Sequence, residues 1–293
     1  MKFRMVAVAA LAAVISACSS DPDRLPPQNP FKPEQTTARE QRLQAAELYR
    51  LARSALESSD FTGAIQRYSQ LSLRYPFTDY AVQGQVERVY AMYRNYQPEE
   101  ALAEAERFLR DYPRHEHAAY VQYVKGLINF DRDRGLAESV GFDTTRRDTS
   151  NLRRSFDDFG LLIQRYPQSP YIADARARMI YLRNRLATHE LTVVEYYMRR
   201  GAFVAAAKRA EQIVAQYPGA PATLNALVLL EQSYDALGLD TQAKDARKLR
   251  AAYVMAAPKE AMATLGDTEV KPEPEAAEIG TKDVPPPAPP PAP

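Results

Sequence analysis

The histidines and the paired carboxylates are the side chains of this 293-residue chain that could serve catalysis or metal binding. His115 and His117 are two residues apart, so on a helix they would point about 200° away from each other. Asp157 and Asp158 are adjacent and would also diverge, and His189 is isolated. The sequence has no Cys/His cluster, no glycine-rich phosphate loop and no G-x-S-x-G motif. It therefore predicts a protein that is not an enzyme and holds no metal or other cofactor.

Cys18 is the only cysteine, and it ends a segment typical of secretion. Two basic residues precede an apolar run, Met5–Ala17, which is too short to span a bilayer and has the length of a signal-peptide core. The sequence ISAC at residues 15–18 resembles the lipobox of bacterial lipoproteins. This resemblance implies a lipid on Cys18, and Ser19 in place of aspartate implies sorting to the outer membrane. The alternative, an ordinary signal peptide, leaves Cys18 without a partner for an internal disulfide.

Both ends of the mature chain have the composition of linkers. Residues 18–35 contain five prolines and no apolar period, which predicts an extended tether after the signal peptide of residues 1–17. Residues 258–293 contain ten prolines, three lysines and seven acidic residues, which predicts a disordered acidic tail. Such a tail could bind a proline-recognising domain, reach the cell wall, or simply be solvated. The charges of the remaining chain are nearly balanced, which argues against nucleic acid as a partner.

Residues 36–257 show a helical pattern throughout, and a two-helix unit recurs in them. Proline cannot continue a helix and biases the preceding residue out of the helical region, so a repeated Tyr-Pro pair predicts a repeated helix end. We expect five helical hairpins, or ten helices, stacked as an all-α, tetratricopeptide-like (TPR-like) solenoid with a right-handed superhelix. The four pairs are Tyr75-Pro76, Tyr112-Pro113, Tyr166-Pro167 and Tyr217-Pro218.

The packing positions of the hairpins can be assigned from the spacing to these prolines. Ala52 and Ala64 are small enough to let the first two helices approach closely, and Asp60 is a good N-cap for a helix that starts at Phe61. The third hairpin carries a long insertion, residues 131–149, and the fourth begins with an unbroken helix that Gly201 ends. The other predicted inward residues are Tyr68, Leu71, Ala101, Phe108, Ala206, Ala210, Ile213 and Ala243.

Tyrosine and arginine side chains crowd the first two hairpins. Tyr90 and Tyr93 are three residues apart on a helix that lines the concave face of TPR solenoids, and Arg53 and Arg94 lie nearby in the pattern. Aromatic rings beside guanidinium groups suit an extended peptide that ends in an aromatic residue and a carboxylate. The alternative is that these rings only fill the space between helices.

Two long runs resemble the BamD family, the TPR lipoproteins of the outer-membrane β-barrel assembly machinery. They are RYPFTDYAVQGQVERVYAMYRNYQPEEALAEAERFLRDYPRHEHAAYVQYVKGLINF and RDTSNLRRSFDDFGLLIQRYPQSPYIADARARMIYLRNRLATHELTVVEYYMRRGAFVAAAKR. The resemblance implies a scaffold on the periplasmic side of the outer membrane that recognises unfolded barrel proteins and docks a barrel subunit with POTRA domains and an accessory lipoprotein. A TPR lipoprotein that organises cell-wall or secretion machinery is the alternative.

The same resemblance assigns residues to two surfaces of the chain. A peptide-binding surface in the amino-terminal hairpins would comprise Tyr49, Arg53, Tyr90, Tyr93 and Arg94. A partner-binding surface in the fourth hairpin would comprise Arg200, Phe203 and Arg209, although Arg200 would also suit the negative end of a helix dipole.

Overall fold

A computed structural model describes residues 37–132 and 148–256. Within these residues there are ten α-helices and no β-strand, which confirms the predicted all-α class. None of these helices is both long and apolar enough to cross a membrane. Predictions about Cys18, the tether, the tail and most of the insertion concern residues outside the described ranges. The helices are α1 Ala38–Glu57, α2 Phe61–Arg74, α3 Asp79–Arg94, α4 Pro98–Asp111, α5 Ala118–Arg132, α6 Ser150–Arg165, α7 Ile172–Arg199, α8 Phe203–Gln216, α9 Pro221–Ala236 and α10 Asp240–Ala256.

The described residues up to Gln44 belong to one compact unit, and those from Ala45 onward belong to another. In the first unit, Thr37 and Glu40 form a reciprocal cap at the start of α1. The Thr37 backbone N–H donates to Glu40 Oε2 at 2.8 Å, and the Glu40 N–H donates to Thr37 Oγ1 at 3.2 Å. Two of the N–H groups that a helix start leaves unpaired are thereby satisfied, so α1 has a defined beginning.

The second unit is built from helices that pack against their sequence neighbours, as a TPR-like repeat predicts. In the first hairpin, the Asp60 N–H donates to the Ala55 carbonyl at 2.8 Å across the turn, and the rings of Tyr49 and Tyr68 lie 6.2 Å apart further from it. These two contacts show that α2 folds back antiparallel to α1. Ala52 and Ala64 are fully buried between them, and so is Tyr68. The expected burial of these small residues is therefore observed, whereas the handedness of the stack stays a prediction.

The helices end in two different ways, and these ends alternate along the chain. The first helices of four hairpins end at a residue with positive φ. The backbone N–H of the residue that follows donates to the carbonyl five residues back, as the Gln97 N–H does to the Met92 carbonyl at 3.0 Å. The second helices end at the four Tyr-Pro pairs. Each helix between two such ends therefore has a turn inside a hairpin at one end and a turn between hairpins at the other. The positive-φ residues are Ser59, Tyr96, Gly201 and Gly238.

Most of the predicted packing and capping positions are confirmed. The Asp60 side chain accepts a hydrogen bond from the Gly63 N–H at 2.9 Å, and Pro98 is the first residue of α4. Helix α7 is unbroken for 28 residues before Gly201. Helix α5 begins at Ala118, so His115 and His117 precede it and do not lie on a helix. The inward residues confirmed as buried are Leu71, Ala101, Phe108, Ala206, Ala210, Ile213 and Ala243.

Candidate functional site

A buried carboxylate, Glu87 on α3, organises the amino-terminal hairpins. Its side chain is fully buried and accepts hydrogen bonds from Tyr49 at 2.6 Å, from Arg53 at 2.8 Å and from Gln83 at 2.9 Å. The Tyr68 hydroxyl donates to its second oxygen. A carboxylate has about four acceptor positions, so these donors satisfy the group and offset the cost of removing it from water.

The environment of Glu87 fixes the state of the two tyrosines. Burial, reinforced by the neighbouring Glu87 charge, raises the pKa of Tyr49 and that of Tyr68 well above the ordinary range, so both hydroxyls remain protonated donors. Tyr49 is only 5% exposed, whereas Arg53 keeps part of its side chain at the surface and also bonds Glu57 at 2.9 Å. Of these two predicted peptide-binding residues, Arg53 is therefore the one that a ligand can reach directly.

Arg94 is held between two aromatic rings at the end of α3. Its guanidinium carbon lies 5.3 Å from the centroid of the Phe61 ring and 5.8 Å from that of the Tyr90 ring. One of its N–H groups donates to the Tyr90 hydroxyl at 2.9 Å. Tyr90 is nearly buried while Arg94 is half-buried, so the tyrosine and the phenylalanine position a cation that remains partly accessible.

Tyr93 belongs to a row of tyrosine–carboxylate hydrogen bonds that joins successive first helices. Its ring lies 6.5 Å from that of Tyr90, and its hydroxyl donates to Asp131 on α5. Burial, followed by the Asp131 charge, raises the pKa of Tyr93. Tyr123 on α5 donates in turn to Asp174 on α7 at 2.6 Å. Together with the Tyr49–Glu87 bond, the row connects α1 to α3, α3 to α5 and α5 to α7.

The sequence interpretation did not identify the acidic members of this row. A usable signal was present, because Glu87 follows Tyr49 by 38 residues and Asp131 follows Tyr93 by 38 residues, about one repeat length in each case. The row ends at Arg178, whose fully buried guanidinium group donates to Asp174 at 2.6 Å and lies 4.9 Å from the Phe130 ring centroid. The first helices are therefore joined to one another by tyrosines and paired charges, most of which are buried.

Two of the predicted partner-binding residues lie together at the turn between α7 and α8. Arg200 caps α7 and is exposed, and its guanidinium carbon lies 5.4 Å from the Tyr196 ring centroid. Phe203 is the first residue of α8 and is half-buried. Val204 beside it is 70% exposed, so this turn presents a cation next to apolar surface.

Arg209, the third predicted partner-binding residue, lies one and a half turns further along α8 and has a different environment. Its guanidinium group donates to Glu190 at 3.3 Å, and Arg153 donates to the other oxygen of the same carboxylate at 2.7 Å. Both arginines remain about half exposed. Arg209 is thus held in a surface ion-pair network that joins α6, α7 and α8.

The two neighbouring histidines do not diverge as a helical arrangement predicts. His115 and His117 precede α5, their ring centroids lie only 5.4 Å apart, and the His117 N–H donates to His115 Nδ1 at 3.2 Å. The His115 ring also packs edge-on against Phe108 at 5.5 Å. Because both residues lie in a turn, their side chains are not held at the separation of about 200° that a helix would impose. Burial lowers the pKa of both imidazoles below the ordinary value.

The lowered pKa values of His115 and His117 predict that the folded protein loses stability in mild acid. The unfolded chain binds protons to these imidazoles near the ordinary pKa of about 6.5, more tightly than the folded chain does. We expect the free energy of unfolding to fall as the pH decreases from about 7 to 5.5, a range above most carboxylate titration. Urea denaturation across that range measures the effect. The double variant His115→Gln with His117→Gln should show a flatter profile, and an unchanged profile would contradict this assignment.

Comparison with known proteins identifies relatives over the same helical region. The family model described as YfiO, outer membrane lipoprotein, matches residues 41–249. "Outer membrane protein assembly factor BamD" of Neisseria meningitidis is 37% identical over 203 residues, which are 69% of this chain and 76% of that protein. The protein of the same name from Vibrio cholerae is 35% identical over 240 residues, or 82% of this chain and 93% of that one. Among solved structures, that of MamA aligns over 78% of this chain and 98% of its own, with a TM-score of 0.34 and 16% identity.

Proposed function

The chain belongs to the BamD (YfiO) family of outer-membrane lipoproteins, and from this premise we propose that it is a non-enzymatic scaffold for assembly of outer-membrane β-barrels. It recognises unfolded barrel proteins and docks the POTRA-containing barrel subunit together with accessory assembly lipoproteins. The name shared by its curated relatives supports the assembly role. Partly exposed arginines held by aromatic rings and carboxylates, such as Arg53, Arg94 and Arg200, support a docking role.

The proposed organisation places the chain on the periplasmic side of the outer membrane. Residues 1–17 form the signal peptide, Cys18 carries the lipid, and residues 18–35 form the tether. Residues 36–257 form the docking domain, and residues 258–293 form the acidic proline-rich tail. Three acyl chains, at roughly 0.8 kcal/mol for each buried methylene, make such an anchor effectively permanent. The anchor also raises the local concentration of the docking domain at the assembly site.

The peptide-binding surface is proposed on the first helices of the amino-terminal hairpins. The observation that carries this proposal is Arg94, which is held by Phe61 and Tyr90 yet remains partly exposed. A peptide carboxylate can bind its guanidinium group, while an aromatic side chain packs beside it. Arg53 supplies a second reachable cation on α1. Tyr49, Tyr90 and Tyr93 act mainly by supporting this arrangement, because their hydroxyls are engaged within the protein.

The partner-binding surface is proposed at the start of α8. Arg200 and Phe203 combine a stacked cation with apolar surface, the composition that dominates the energy of protein interfaces. Arg209 contributes a further positive group at the edge, where Glu190 fixes its direction. The POTRA domain that binds here should therefore present carboxylates around an apolar contact.

Replacing Arg94 tests the peptide-binding proposal. Arg94→Ala should weaken binding of a barrel-derived peptide with a carboxy-terminal phenylalanine by about 1–3 kcal/mol, as loss of an arginine anchor does at other interfaces. Arg94→Lys should recover only part of the affinity, because lysine lacks the planar group that stacks on the rings. Fluorescence anisotropy of a labelled peptide measures the change.

The matched control for this test is Arg165→Ala, which removes the same charge from the exposed last turn of α6. It should leave peptide affinity unchanged. Circular dichroism of each variant verifies that the helices are retained. Equal binding by Arg94→Ala, Arg165→Ala and the parent chain would place the peptide site elsewhere.

A further inference from the structure

Two large apolar side chains project into solvent where the first hairpin ends. Phe77 is 100% exposed in the turn before α3, and Leu73 is 81% exposed in the last turn of α2. Arg74 and Pro76 between them are also exposed. We call residues 73–77 the apolar turn. Single exposed apolar residues are common on protein surfaces, but a phenylalanine and a leucine this close together with this much exposure form a contact surface.

The position of the apolar turn relative to the lipid attachment indicates what it contacts. Because α1 and α2 run antiparallel, the chain passes Ala45 at the same end of the hairpin at which α2 finishes at Arg74. The sequence places eighteen residues, 19–36, between Cys18 and Thr37. At about 3.1 Å per residue in extended geometry, this segment spans at most about 60 Å. The apolar turn therefore lies at the end of the hairpin from which the chain leads toward the lipid.

We propose that Leu73 and Phe77 insert into the interfacial layer of the phospholipid bilayer to which Cys18 is tied. This inference rests on the proposed lipid anchor and goes beyond the proposed assembly function. Interfacial insertion removes both side chains from water, and the Arg74 guanidinium group can extend to the lipid phosphates while its methylenes stay with the apolar surface. Two residues alone bind a bilayer weakly. The tether makes their contact intramolecular, so weak insertion suffices to orient the hairpin.

The orientation that results has a consequence for the other end of the helices. Turns between hairpins and turns inside hairpins lie at opposite ends, so a membrane-facing Phe77 directs the turn at Tyr96 away from the bilayer. Tyr96 is 93% exposed and thus provides a matched position of similar exposure and type. The proposal predicts lipid contact at residue 77 and none at residue 96.

The absence of tryptophan from the chain allows a direct test. The lipidated full-length protein, carrying either Phe77→Trp or Tyr96→Trp, is reconstituted into phospholipid vesicles with and without nitroxide-labelled acyl chains. The emission of Phe77→Trp should shift to shorter wavelength and be quenched severalfold more strongly than that of Tyr96→Trp. Adding Leu73→Ser to Phe77→Trp should reduce the quenching, because it removes one of the two apolar side chains that insert.

Equal emission and equal quenching of the two single-tryptophan proteins would overturn the proposal. A shift of Phe77→Trp emission that appears only when a purified assembly partner is added would also overturn it, and would assign the apolar turn to a protein contact. Peptide affinity, measured on the same proteins, should not change. The outcome is therefore separate from that of the Arg94 test, since loss of peptide binding and loss of lipid contact concern opposite ends of α3.

Discussion

Replacing Glu87 with alanine is expected to lower the free energy of unfolding by about 3–5 kcal/mol, the range observed when one member of a buried charged network is removed. The change leaves the hydroxyls of Tyr49 and Tyr68 without their acceptor in a buried environment. It also removes the carboxylate that pairs with the Arg53 guanidinium group across the first two hairpins. Urea denaturation followed by circular dichroism measures the loss.

The matched control is Glu57→Ala, which removes the other carboxylate that Arg53 contacts. Glu57 is 65% exposed in its side chain, so its ion pair should contribute less than about 1 kcal/mol. Glu87→Gln should give an intermediate loss, because an amide retains one acceptor oxygen but not the charge. If Glu87→Ala is no more destabilising than Glu57→Ala, the buried network does not hold these hairpins together.

The Glu87 network also limits how peptide-binding experiments on these residues can be interpreted. Tyr49 and Arg53 both donate to Glu87, so their replacement changes packing as well as any ligand contact. Arg94 lies outside these bonds and instead stacks between Phe61 and Tyr90. Substitution of Arg94 is therefore the cleaner measure of recognition, whereas a Tyr49 variant requires its stability to be measured beside its affinity.

Helix ends could be predicted because their chemistry is local. Proline after Tyr75 excludes helix continuation, Asp60 supplies a cap within three residues, and Gly201 takes the positive φ that a tight helix end requires. Ser59 and Tyr96 are the exceptions, since they adopt φ values of 62° and 57° in positions where glycine is favoured. Their residue types gave no local signal, although the hydrogen bonds of their turns match those at Gly201.

The interior of the candidate site could not be predicted in the same way. Tyrosine and carboxylate side chains are both acceptable at the surface of a helix, so their types do not reveal that Tyr49 and Glu87 meet in the interior. The bonds that pair them cross between helices, and their partners are fixed by how the hairpins stack. His115 and His117 show the same limit, because their ring contact depends on where α5 begins.

Gly126 and Gly160, which lie on the neighbouring helices α5 and α6, should respond to alanine substitution with opposite signs. A Cβ atom on Gly126 would lie 2.5 Å from Phe159 Cε1 and 2.7 Å from its Cδ1, and the Phe159 ring is fully buried between α5 and α6. The Ser155 hydroxyl donates to the Gly126 carbonyl at 3.0 Å, so the two helices are also tied at this point. Gly126→Ala should therefore lower the free energy of unfolding by about 1–3 kcal/mol, as overpacking does in other cores.

Gly160 lies in α6 and has room for a methyl group, since the nearest atom to its Cβ position is Met179 Cε at 3.8 Å, an ordinary van der Waals distance. Gly160→Ala should raise the free energy of unfolding by about 0.5–1 kcal/mol, because alanine loses less backbone freedom than glycine in a helix. Urea denaturation of both variants measures the pair. Adding Phe159→Leu to Gly126→Ala should restore part of the loss if the ring causes it. Because both substitutions add the same methyl group to a helix, stabilisation by both would show that α5 and α6 are not in close contact at Gly126.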